Sequence, residues 1–276
     1  MKIAVVGINY YPELTGIGVY TTDMCEHLVS KGHDITIFTS FPYYPFGADY
    51  SSWYADKHVR RSAASFCENI NGAKIIRCNL YKPKKPGTLG RMIHEATFIK
   101  SIFFRTFFSK DVFDMVICIS PPFLLGLVAT MLSKRKNAPL LLHVQDLQID
   151  AAKELGMIKN RVLLSLLESI ERYIYKKANF VTTISSAMKE KILEKGVDKE
   201  KVDLLVNWVD PETILPLDRN NSFSRRHNLD DKFVVLHAGN MGEKQDIHMI
   251  LNAARAMKGE QEVRFLLIGR GGRRPA

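Results

Sequence analysis

Short β-branched apolar runs alternate with longer helix-patterned stretches through most of the chain, and this alternation restricts the fold more than any other feature. Strands separated by helices call for crossover connections, which build an α/β domain around a parallel sheet. Strand patterns occur at 2–7, 34–39, 73–77, 115–119, 140–144, 180–184 and 202–206. Helical patterns fall between them at 19–30, 89–108, 124–136, 161–177 and 186–195, the last with Ser185 placed as N-cap and Gly196 as stop. A polar, turn-rich stretch with Pro211, Pro216, Asn220 and Asn221 then breaks the rhythm. After it a new β-α-β pattern begins: a strand at 233–237, a helix at 244–257 and a strand at 263–268. The expected organisation is a first Rossmann-like domain over 1–210, a linker over 211–231 and a second Rossmann-like unit over 232–276. A unit of about 45 residues lies near the limit for burying its own core. Gly269–Ala276 reads as a strand-to-helix turn without its helix, so the second domain is expected to be incomplete.

Composition excludes several classes. With 46% apolar and 25% charged residues the chain is ordinary for a globular protein. No stretch reaches the roughly 18 uncharged apolar residues of a membrane span. The apolar start soon meets Asn9 and Tyr10, unlike a signal peptide, so a cytoplasmic location is expected. The four cysteines, Cys25, Cys67, Cys78 and Cys118, form no C-x-x-C pair and read as reduced thiols, with no metal site implied. Lys and Arg number 39 against 29 Asp and Glu, a net charge of +10 that favours an anionic partner.

In parallel α/β sheets ligands bind beyond the carboxyl ends of the strands. The first loop there, residues 8–17, leads into Gly16 and Gly18 at a helix start, where free N–H groups and the helix dipole favour an anion. A turn with convenient glycines is the plain alternative. A nicotinamide-binding fingerprint is missing: only Gly7 follows the first strand, and the second ends in Phe38-Thr39-Ser40 without an acidic residue. The second loop, His143-Val144-Gln145-Asp146, brings polar side chains to the same end, with Asp150 four residues on; capping or ion-pair roles fit those carboxylates equally well. The third, Gly239-Asn240-Met241-Gly242-Glu243-Lys244, again sets glycines and a lysine at a helix start.

These segments, G-I-N-Y-Y-P-E-L-T-G-I-G-V-Y (7–20), P-Y-Y-P (42–45), L-L-H-V-Q-D-L-Q-I-D-A (141–151), V-T-T-I-S (181–185), N-W (207–208) and G-N-M-G-E-K-Q (239–245), resemble the retaining glycosyltransferases of family 4. The resemblance is closest to the exopolysaccharide branch, including colanic-acid enzymes, and covers nearly the whole chain. It implies a GT-B-like fold and transfer of a sugar from a nucleotide-sugar to a lipid-linked saccharide with retained configuration. It also implies no divalent metal and no cofactor beyond the donor. On it, Gly16, Gly18, Asn240 and Lys244 would bind the donor diphosphate, and His143 and Asp146 would act near the transferred sugar. Asp246 departs from the family, where a glycine usually follows the Lys-Gln pair. A second reading is a non-catalytic module of the same fold that binds acceptor or membrane, the donor domain being cut short.

Between residues 82 and 110 the chain concentrates Lys82, Lys84, Lys85, Arg91, Lys100, Arg105 and Lys110 among phenylalanines, against the single acid Glu95. Basic helices with aromatic neighbours lie on anionic membrane surfaces. Peripheral binding to the inner face of the cytoplasmic membrane is the expectation, against a core-packing helix with a solvated basic edge. No nucleic-acid motif accompanies the charge.

Overall fold

The computed structural model of the chain describes residues 1–14, 16–59, 63–83, 87–242, 245–269 and 271. It separates into two compact units, Met1–Trp208 and Val209–Ala276.

The first unit alternates strands and helices: β1 (Lys2–Val6), α1 (Ile17–Ser30), β2 (Asp34–Ser40), α2 (Ser51–Asp56), β3 (Ser65–Ile70), β4 (Ala73–Cys78), α3 (Thr88–Phe107), β5 (Met115–Ser120), α4 (Leu125–Lys136), β6 (Leu140–Val144), α5 (Gln148–Glu154), α6 (Arg161–Lys177), β7 (Phe180–Thr183), α7 (Ser186–Glu194) and β8 (Val202–Leu204). The strands form one eight-stranded sheet in the order β3-β4-β2-β1-β5-β6-β7-β8. Alternate residues of each central strand serve opposite faces. Ile3, Val5, Ile35, Ile37, Ile75 and Ile119 pack with Cys25, Met24 and Leu28 of α1. Ala4, Val6, Phe38, Ile76 and Val116 pack with Phe98, Ile102, Leu132 and Ile174 of α3, α4 and α6. Burial on both faces explains why β1 and β5 read as unbroken apolar runs. Ser185 caps α7 through the Met188 N–H at 3.3 Å, and Asn160 caps α6 through Val162 and Leu163.

The expected parallel sheet carries one antiparallel strand. β3 returns along β4, with Ile70 opposite Ala73. The turn between them is Asn71-Gly72, with φ of 50° and 83°. Two consecutive positive φ values make the tight hairpin that Asn-Gly favours. β3 is an edge strand whose burial alternates residue by residue, so it lacks the apolar run that marks its neighbours.

The second unit pairs β9 (Phe233–Ala238) with β10 (Val263–Ile268) in parallel, with α9 (Ile247–Ala256) between them in sequence. Before β9 lies the short helix α8 (Ser222–Arg226), within the stretch expected as linker. Asn221 caps it and Ser224 bonds back to Asn221, a reciprocal capping box.

Candidate active site

From β1 the chain builds outward to β2 and β4, then crosses back to lay β5, β6, β7 and β8 on the other side. The order reverses at the border of β1 and β5. In sheets of this kind the loops leaving the two strands diverge at such a border, and the crevice beyond the carboxyl edge is where ligands bind.

The β1–α1 loop lining this crevice is held by a buried carboxylate. Glu13 is 1% exposed. One of its oxygens accepts the Asn9 side-chain amide at 2.7 Å. The other accepts the backbone N–H groups of Tyr43 and Tyr44 at 2.7 and 2.8 Å. Burial raises the Glu13 pKa, and these three bonds act against that shift. The same loop is gripped from β4 by Arg77, which is fully buried. Its guanidinium donates to the Tyr11 carbonyl at 2.6 Å, the Ser40 carbonyl at 3.3 Å and the Glu68 carboxylate at 2.5 Å. Its cation also stands 4.8 Å from the centre of the Trp53 ring. Burial lowers the Arg77 pKa and Glu68 opposes it, as expected for an ion pair needed to keep a charge inside.

These contacts present the start of α1 to the crevice. Gly16 is its N-cap at φ 60°, a left-handed conformation favouring glycine, and no side chain caps the helix. Gly18 is required for a different reason. A Cβ there would stand 2.9 Å from the Glu13 carbonyl oxygen, so the helix start and the loop touch through their backbones. The arrangement suits an anion at an uncapped helix N-terminus.

His143 lies on β6, one residue before the strand ends, and is 2% exposed. Its Nδ1 is 3.0 Å from Thr182 Oγ1 on β7. Burial pushes its pKa down to about 4, so the ring is neutral at neutral pH. With Nδ1 engaged, Nε2 remains for a ligand. Asp146 is half-buried in the turn from β6 to α5, and the Gln145 N–H ties that turn to the Ser120 carbonyl at 2.8 Å. Asp150 has a structural partner: Lys195 bridges it to Glu171, the latter at 2.7 Å, and joins α5, α6 and α7.

In the second unit Gly239, Asn240 and Met241 follow β9, with Asn240 exposed and Met241 buried. The Gly242 N–H donates to Gln245 Oε1 at 3.1 Å, closing the turn before α9. Asp246, the α9 N-cap, sits at φ 36° and ψ 58°, where glycine is at ease. Lys244 lies outside the described residues.

The basic segment divides. Lys82 turns inward, its Nζ donating to the Pro42 carbonyl at 2.9 Å and the Tyr54 hydroxyl at 2.6 Å. Arg91, Lys100 and Arg105 are exposed on α3. Lys84 and Lys85 lie outside the described residues.

Sequence reading did not single out Arg77, Glu68 or His94, and it took in Tyr43 only within the P-Y-Y-P segment, although all lie at or support this edge. His94 is buried, with Nδ1 2.6 Å from the Tyr81 carbonyl and its ring 4.4 Å from that of Tyr43. The one available signal was Arg77 itself, a lone cation in the apolar run Ile75-Ile76-Arg77-Cys78.

Residues 15–208 match the family described as glycosyl transferase 4-like domain. The Escherichia coli K12 protein WcaI, assigned to colanic acid biosynthesis as a glycosyl transferase, is 35% identical over 282 residues, 99% of this chain and 66% of that protein. Among solved structures, sucrose-phosphate synthase from Thermosynechococcus elongatus is similar at a TM-score of 0.62 and 17% identity, covering 97% of this chain and 62% of that one. HepE of Anabaena, in complex with UDP and glucose, is similar at a TM-score of 0.59 and 13% identity, covering 98% and 61%. At these identities the structures establish the shared α/β fold. The chain spans just under two thirds of the length of these relatives.

Proposed function

The chain belongs to the glycosyl transferase 4-like family, and from that membership we propose that it transfers a sugar from a nucleotide-sugar to a lipid-linked saccharide in exopolysaccharide assembly of the colanic-acid kind. The family match over residues 15–208 carries the reading, because it spans the loops from α1 to β8 at the carboxyl edge of the sheet. The name of the Escherichia coli relative supplies the colanic-acid context. The UDP and glucose bound by HepE support a nucleotide-sugar donor.

In this reading residues 1–210 are the acceptor-side domain and 232–276 belong to the donor-binding domain, joined by 211–231. Transfer retains the anomeric configuration, without a divalent metal and without a cofactor beyond the donor. Departure of the nucleoside diphosphate is the step with the largest electrostatic demand. In the first unit the start of α1 at Gly16 and Gly18 is suited to such a charge, and in the second unit Asn240 and Lys244 are assigned to donor binding. His143, a neutral ring held by Thr182, and Asp146 take positions near the transferred sugar and acceptor. Arg91, Lys100 and Arg105, with Lys84 and Lys85, bring the enzyme to the inner face of the cytoplasmic membrane, where a lipid-linked acceptor is held. Lys82 contributes there mainly by fixing the loop through Pro42 and Tyr54. Among the described residues no helix is long and apolar enough to cross a membrane.

The test is a transfer assay on the purified chain, with a panel of labelled nucleotide-sugars and lipid-linked acceptors. Sugar appearing on the lipid supports the proposal. Acceptor binding without turnover of any donor would move the assignment to the non-catalytic module of the same fold.

A further inference from the structure

Helix α3 has two working faces. His94, Phe98, Ile102 and Thr106, spaced four apart, are buried beneath it. A second stripe carrying Lys100, Phe104, Arg105 and Phe108 looks across a groove of about 920 Å³ onto β3 and β4. The groove exists because β3 is an antiparallel edge strand. On its α3 side the exposed Ser65, Cys67 and Asn69 stand where a parallel crossover would have laid a helix.

The charges in this groove are unevenly matched. Lys74 on the β4 wall is paired with Asp111 at 3.2 Å. Lys100, Arg105 and Lys110 have no ion-pair partner among the described residues. Arg105 and the buried Cys78 both line the groove. Beside these cations Phe104 and Phe108 are 50% and 69% exposed, stacked with ring centres 6.5 Å apart. A soluble anion would use the cations and leave both rings in water. A ligand anchored in a bilayer uses both, since its phosphate meets the cations while the rings enter the interface.

We propose that the groove between α3 and the β3–β4 hairpin is a binding site for the phosphate headgroup of an anionic glycerophospholipid. Lys100, Arg105 and Lys110 supply the charge, and Phe104 and Phe108 the interfacial contact. The proposal rests on the membrane association proposed above and locates it at one site.

Co-sedimentation of the full chain with phosphatidylcholine vesicles, with and without phosphatidylglycerol, tests it. Wild type should bind only the anionic vesicles, and K100E/R105E should weaken that binding about ten-fold or more. The matched reversal K159E/K176E, on exposed lysines away from the groove, should stay within about two-fold of wild type. Phe108→Asp leaves all three cations in place and should also weaken binding. Circular dichroism and thermal melting establish that each variant is folded. Equal losses for both double variants would overturn the groove while keeping membrane association, since charge alone would then suffice. Wild type that ignores anionic vesicles would overturn both. Complete competition by millimolar glycerol phosphate would overturn the lipid assignment in favour of a soluble phosphate ligand.

Discussion

Asn9 and Glu13, four residues apart in one loop, close on each other through a 2.7 Å hydrogen bond inside the first unit, and the free oxygen of Glu13 then holds the backbone of Tyr43 and Tyr44. One carboxylate thus joins the loops following β1 and β2. Glu13→Ala strands two half-buried N–H groups and one buried amide. Urea unfolding should register a loss of about 2–4 kcal/mol. Glu13→Gln retains an acceptor for Tyr43 and Tyr44 and should lose only about 1 kcal/mol.

Gly18 touches the same loop from the helix side. A methyl group at this position meets the Glu13 carbonyl at 2.9 Å and must displace it. Gly18→Ala should cost about 1–3 kcal/mol. Because the displaced backbone belongs to the loop that leads into α1, calorimetry should also record weaker binding of the nucleotide-sugar donor. Unchanged donor affinity in a folded Gly18→Ala protein would separate α1 from the donor site.

Arg77 and Glu68 form a nearly dry ion pair, at 0% and 5% side-chain exposure. Removing Glu68 leaves the Arg77 charge buried without a carboxylate, and removing Arg77 leaves the buried Glu68 with only the half-exposed Lys57 at 3.2 Å. Arg77→Met should therefore destabilise by about 3–5 kcal/mol, and R77M/E68M by distinctly less. The double-mutant cycle reads the difference. Two fully additive single effects would show that the pair does not act as a unit.

His143 sets a pH dependence with a defined sign. Its pKa falls from the ordinary 6.5 to about 4 on folding. Between those values the unfolded chain binds a proton that the folded chain does not. Stability from this group therefore decreases as pH drops from about 6.5 to about 4, by about 3 kcal/mol in total, and is flat below. Glu13, Glu95 and Glu171, whose pKa values burial raises, give the opposite slope at overlapping pH. The measurement is thus the difference between wild type and His143→Phe, by denaturant titration across that range. A constant difference would refute the assignment.

Asp246 holds a left-handed conformation at the α9 N-cap without a side-chain capping bond. Asp246→Gly should stabilise the second unit by about 0.5–1 kcal/mol, seen as slower amide exchange in β9 and β10.

Much of this architecture was legible before the structure. The parallel strands announce themselves because burial on both faces demands unbroken apolar runs, as in Ile3–Val6. β3 does not announce itself, because this edge strand is only half-buried on every second residue, although Asn71-Gly72 is a hairpin signal. The glycines at 16 and 18 were legible as a helix start, since their backbone role is local. The roles of Glu13 and Arg77 were not. Glu13 meets Tyr43 thirty positions away, and Arg77 meets the Tyr11 carbonyl sixty-six positions away. No local periodicity encodes such partners. For His143 the position at a strand end was readable, but its burial and its bond to Thr182 depend on which strand lies beside β6.

The second unit's glycines couple two loops that lie far apart in sequence. A Cβ on Gly269 would fall 1.8 Å from the Gly239 carbonyl oxygen, and one on Gly271 2.2 Å from that of Met241. The turn after β10 is therefore moulded against the turn after β9, main chain to main chain. In evolutionary terms the two cannot drift independently. A side chain gained at 269 or 271 must be answered by a rearrangement of the backbone at 239 or 241.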